Sequence, residues 1–125
     1  MNGDKYLLDT NIVLYILNGE EDLINFLNKQ QFYISIITEM ELLSFPKITK
    51  QEIHEIDSFI QETEIVGLTE QIKEMAITIR RKYKLKLPDS IVAASAFVLD
   101  IPLITADNQF KVVSDIQLLI YDPAR

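Results

Sequence analysis

Residues 5–17 read KYLLDTNIVLYIL, two apolar runs broken by Asp9, Thr10 and Asn11. Tyr6-Leu7-Leu8 is too short for a helix and reads as a buried strand, whereas Ile12–Leu17 continues as a helix. The polar triplet is then a strand-to-helix junction. All three residue types cap helices well, because their side chains satisfy the orphan N–H groups of a first turn. Capping alone therefore explains the triplet, and any role for Asp9 beyond it depends on other acids occupying equivalent places.

The same alternation runs along the chain. Strand-like segments are expected at 5–8, 32–35, 64–66, 103–105 and 117–121. Helical segments are expected at 10–18, 20–30, 38–45, 50–62, 70–84 and 88–99; in 70–84 the helical period is carried by Ile72, Met75, Ala76, Ile79 and Tyr83. Strands separated by helices imply parallel pairing through crossover connections, hence an α/β fold: a three-layer α/β/α sandwich with a central, mainly parallel twisted sheet. At 125 residues, without linker or repeat, the chain is expected to form a single domain over 1–125.

Helix starts are marked by Thr38-Glu-Met-Glu41 and Thr49-Lys-Gln-Glu52, both with capping-box spacing, by Thr69, and by Pro88 in a first turn. These signals locate four acids. Asp9 ends the first strand, Glu41 falls in the first turn after the second, Asp89 follows Pro88, and Asp107 follows the strand 103–105. In an open parallel sheet such junctions gather beyond the carboxyl ends of the strands, where ligands bind. Each acid also has a local role open to it: a capping box for Glu41, a favourable helix dipole for Asp89, a turn or cap for Asp107. Local roles do not require all four to share one edge of the sheet.

Composition narrows the chemistry. Cysteine is absent and the lone His54 lies in a polar helix, where a surface position is expected. Thiolate nucleophiles, Cys-based zinc sites and disulfides are excluded, and a histidine-based triad is disfavoured. Four carboxylates form an all-oxygen donor set suited to Mg²⁺ or Mn²⁺, and such a site can activate water against a phosphodiester. The net charge of −7 argues against a broad basic surface for nucleic acid. Five of the twelve basic residues nevertheless cluster as Arg80, Arg81, Lys82, Lys84 and Lys86, directly before Pro88-Asp89. They fit a helix C-terminus, whose dipole favours cations, and equally a local RNA-binding patch. With no signal-peptide pattern and no apolar run long enough to span a bilayer, the expectation is a cytoplasmic protein without membrane association.

Four segments together resemble the PIN-domain ribonucleases, and especially the VapC-type toxins of bacterial toxin–antitoxin pairs. They are LLDTNIVLYIL, ISIITEMELL, LPDSIVAASA and LITADNQF, in order over nearly the whole chain. The resemblance implies that Asp9, Glu41, Asp89 and Asp107 are the catalytic acids around Mg²⁺ or Mn²⁺, with Asn11 and Thr105 orienting the acids or the substrate. It further implies endoribonuclease activity on RNA, a homodimer, and a cognate antitoxin whose tail blocks the site. The chain departs from the family pattern after Glu41-Leu-Leu, where many relatives carry Gly and this one reads Ser44-Phe45-Pro46. A signalling receiver domain fits poorly, lacking an acidic pair after the first strand and a Lys after the last. An Asp-x-Asp phosphatase fails at Asn11, which stands where its second Asp belongs. A catalytically silent PIN-like module binding RNA or protein is the alternative from another functional class.

Overall fold

The structure is a computed structural model that describes residues 4–123. Five strands, β1 (Lys5–Leu8), β2 (Gln31–Ser35), β3 (Glu64–Val66), β4 (Leu103–Thr105) and β5 (Leu118–Ile120), form one sheet in the order β3-β2-β1-β4-β5. Every pairing is parallel. The helices are α1 (Thr10–Leu17), α2 (Glu21–Leu27), α3 (Ile36–Leu43), α4 (Lys50–Gln61), α5 (Glu70–Tyr83) and α6 (Leu87–Leu99), with a 3₁₀ turn at Asn108–Val112. Apart from α3, the expected elements form, β1, β3 and β4 with the expected bounds and the others with ends shifted by at most three residues.

Pleating divides the central strands between two cores. Leu7 and Leu103 pack with Ile72, Ile79, Ala93, Ala94 and Phe110 beneath α5 and α6. Tyr6, Leu8, Ile34 and Ile104 pack with Ile12, Val13, Leu23, Leu27 and Ile56 beneath α1, α2 and α4. The result is the three-layer sandwich. The strands nearest the middle are apolar on both faces, as buried parallel strands require. Helix α3 bridges the layers at the carboxyl edge, with Ile37 against the first core and Leu42 in the second.

Three capping signals form as expected. Thr49 and Glu52 make a reciprocal capping box at α4, Thr69 accepts from the Ile72 amide at α5, and Pro88 lies in the first turn of α6. The fourth is corrected. Thr38 does not cap α3; Ser35, the last residue of β2, accepts from the Ile37 amide instead. The strand runs into the helix without a loop, so α3 starts two residues early, Thr38 is fully buried within it, and Glu41 moves to the second turn. No helix among the described residues is long and apolar enough to cross a membrane.

Candidate active site

With β1 central, its carboxyl end opens between α1, α3, α6 and the segment after β4. Asp9 follows β1 directly and is buried, with 8% of its surface exposed. Its Oδ1 accepts from the Thr10 amide at 2.9 Å, so Asp9 does cap α1. Its Oδ2 accepts from the hydroxyl of Thr105, fully buried at the end of β4, at 2.7 Å. The same hydroxyl oxygen accepts from the Asp107 amide at 3.0 Å. Thr105 thus ties the first acid to the backbone of the fourth. Asp107 Oδ1 in turn accepts from the Gln109 amide at 2.9 Å and caps the 3₁₀ turn.

Glu41 approaches from α3 and is exposed; its Oε1 accepts from the Thr10 hydroxyl at 2.5 Å. Asp89, in the first turn of α6, is half-buried. All four acids line one open pocket of about 380 Å³, together with Thr10, Asn11, Leu14, Ser44 and Phe45. The structure therefore brings together side chains 9, 41, 89 and 107 from four separate junctions. Asn11 lines the pocket too, but hydrogen-bonds neither Asp9 nor any other described side chain. Thr105 stands behind Asp9 and does not line it.

The pocket concentrates negative charge. Burial pushes the Asp9 carboxyl above its ordinary range; the hydrogen bonds from Thr105 and the Thr10 amide pull it back, and the charges of Glu41 and Asp107 push it further up. Burial likewise raises Asp89, and Asp9, Asp107 and Glu41 add to the rise while Lys86 opposes it. Desolvation is the largest cause in both; like-charge repulsion comes second for Asp89 and behind the two hydrogen bonds for Asp9.

Among the described residues no three acid, histidine or cysteine side chains are already gathered to hold a metal ion. The donor set itself is all oxygen, which suits a hard cation. An ion of the Mg²⁺ kind keeps several waters and takes only one or two carboxylates directly, so an open, spread set of acids fits it. A cation there would offset the charge that raises Asp9 and Asp89.

The basic run stays outside this pocket. Arg80, Arg81 and Lys82 occupy the last turn of α5, and Lys84 ends that helix in the left-handed conformation, with its amide donating to Arg80 O at 2.9 Å. These four positions complement the helix dipole. Arg80, Arg81 and Lys84 line a separate groove with Ile77, Leu85 and Leu87, and Lys82 pairs with Asp115 at 3.7 Å. Lys86 acts on Asp89, whose carboxyl it holds back against the rise from burial. His54 is exposed on α4, as expected.

Sequence reasoning did not single out Leu14 as a lining residue, nor the contacts of Thr10; Ser44 and Phe45 entered it only as the departure from the family pattern after Glu41-Leu-Leu, at the lip of the site. Thr10 was visible only as part of a capping triplet; its reach to Glu41, 31 residues away, depends on α1 packing against α3.

A family model described as "PIN domain" matches residues 6–116. No curated protein matches the sequence significantly. Similar solved structures include a toxin–antitoxin complex from Klebsiella pneumoniae, 27% identical with a TM-score of 0.77, which covers 94% of this chain and 98% of its own. VapBC2 from Rickettsia felis, bound to a promoter DNA fragment, is 24% identical with a TM-score of 0.83 over 94% of this chain and 99% of that one. DNA-bound VapBC from Salmonella typhimurium is 20% identical with a TM-score of 0.83, over 94% and 98%. The last two likenesses speak to the fold alone.

Proposed function

The chain belongs to the PIN domain family, and on that premise we propose that it is a metal-dependent endoribonuclease, the toxin of a toxin–antitoxin pair. The observation that carries this reading is the convergence of Asp9, Glu41, Asp89 and Asp107 on one pocket beyond the strand ends. The named toxin–antitoxin complex among the similar structures supports an antitoxin as partner. A second copy of the chain as partner and the cytoplasm as compartment belong to the same proposal.

In this proposal Asp9, Glu41, Asp89 and Asp107 would hold Mg²⁺ or Mn²⁺, some directly and the others through water. When bound, the ion lowers the pKa of water and neutralises charge developing on the phosphoryl group. Thr105 favours the ionised form of Asp9 against the effect of burial, because its hydroxyl donates to Oδ2. Glu41 commits Oε1 to Thr10 and keeps Oε2 free of protein partners among the described residues. One of these four carboxylates would accept the proton of the attacking water. The new bond joins the water oxygen to phosphorus, the P–O3′ bond breaks, and the leaving 3′-oxygen takes up a proton. The products are a 5′-phosphate and a 3′-hydroxyl.

The test is incubation of the purified chain, free of antitoxin, with single-stranded and structured RNAs in Mg²⁺, in Mn²⁺ and in chelator. Cleavage confined to the metal reactions, with 5′-phosphate ends, is expected. Cleavage that persists in chelator, or that leaves 2′,3′-cyclic phosphates, overturns the proposal; binding of RNA and metal without cleavage points to the silent module.

A further inference from the structure

Thr10 connects the interior of the molecule to the rim of the acidic pocket. Its Oγ1 lies 2.5 Å from Glu41 Oε1 and 3.1 Å from Oγ1 of Thr38, which is fully buried in α3. A hydroxyl has a single proton and an ionised carboxylate only accepts. The Thr10 hydroxyl can donate its proton to only one of these two acceptors at a time, and the carboxylate, closer and charged, is the stronger of them.

Glu41 needs such a hold more than Asp9 or Asp107. Asp9 is fixed by the Thr10 amide and Thr105, and Asp107 by the Gln109 amide. Glu41 is longer, exposed, and no longer has the capping role its spacing suggested, because Ser35 caps α3. Left alone, its side chain would sample many rotamers. We infer that Thr10 is the positioning residue for Glu41, holding Oε1 so that Oε2 is presented to the cation or its water. The inference rests on the metal-dependent reading of the same pocket.

Three proteins test it: the parent chain, Thr10→Val, which keeps the shape and removes the hydroxyl, and Thr10→Ser, which keeps the hydroxyl and removes the methyl. In chelator, side-chain carbon NMR of Glu41 should report one dominant rotamer in the parent and in Thr10→Ser, and averaging in Thr10→Val. Titration with Mn²⁺ alone, followed by the electron-spin signal of the free ion, should show affinity weakened about tenfold or more in Thr10→Val, the usual effect of removing a hydrogen-bond partner behind a ligand. With RNA, Thr10→Val should lose kcat while KM stays near the parent value. Thr10→Ser should restore Mn²⁺ affinity and kcat to within about threefold of the parent, since the hydroxyl that donates to the ligand is retained.

A Thr10→Val protein that binds Mn²⁺ as tightly as the parent overturns the inference. So does Thr10→Ser behaving like Thr10→Val, which would assign the effect to packing of the methyl group. If the parent itself binds no Mn²⁺, the metal reading of the pocket fails. The Glu41 signal in chelator still decides the role of Thr10 in that case, with averaging already present in the parent counting against it.

Discussion

Replacing Thr105 by Val exchanges a hydroxyl for a methyl of nearly equal volume at a fully buried position. Two hydrogen bonds disappear: the one donated to Asp9 Oδ2 at 2.7 Å and the one accepted from the Asp107 amide at 3.0 Å. A bond to a charged group contributes about 1.5–3 kcal/mol. The Asp107 amide is only partly buried and can turn to water, so its loss adds about 1 kcal/mol or less. The expected destabilisation near neutral pH is then about 2–4 kcal/mol, or a fall in Tm of roughly 8–16 °C for a domain of this length. The cost should depend on the charge of Asp9. In an Asp9→Asn background the partner is neutral, and the hydroxyl contributes about 0.5–1.5 kcal/mol. Urea unfolding of the parent, both single variants and the double variant, in chelator at pH 7, measures the coupling. A coupling above about 1 kcal/mol is expected. An equal cost of Thr105→Val in both backgrounds, or a cost below about 0.5 kcal/mol, would show that Thr105 does not support the Asp9 charge.

Two further outcomes are open to simple measurement. The folded-state pKa of Asp9 is raised, chiefly by burial, so its contribution to stability is fully present below the unfolded Asp value and is lost as pH rises through the folded one. Asp9→Asn cannot ionise; in chelator its Tm relative to the parent should therefore climb between acid and neutral pH, and a difference independent of pH counts against the buried charge. Neutralising Arg80, Arg81 and Lys84, which line their own groove away from the acids, should weaken RNA binding and flatten its salt dependence by about one unit of slope for each RNA phosphate they had neutralised. Unchanged affinity and slope would leave those cations to the helix C-terminus alone.

The edge strands β3 and β5 are more exposed. The inner strands β1, β2 and β4 were legible because each carries a short apolar run bounded by polar residues, and a buried parallel strand has few other appearances. Asp9 was legible for the same reason, as a carboxylate where two buried elements meet. The start of α3 was not. Thr38-Glu-Met-Glu41 has the spacing of a capping box, but a local pattern carries no information on whether a loop separates strand from helix. Here none does, and Ser35 takes the cap while Thr38 turns inward. What each side chain at the site touches depends on packing between distant elements: Thr10 with Glu41, Thr105 with Asp9. The density of the basic run was plain, whereas only the folded chain shows that Arg80, Arg81 and Lys84 line a groove of their own while Lys86 acts on Asp89.

Whether Asp9, Glu41, Asp89 and Asp107 together bind a cation, as proposed, can be read by NMR with Mn²⁺ as a paramagnetic probe. Substoichiometric Mn²⁺ added to the isotopically labelled chain broadens signals steeply with proximity to the bound ion. Broadening should centre on those four residues, together with Thr10 and Asn11, and should collapse in Asp9→Asn. Broadening centred instead on other acids, such as Glu52 and Glu55 on α4 or Asp115 beside Lys82, or left unchanged by Asp9→Asn, would dissolve the four-acid metal site and the nuclease reading built on it.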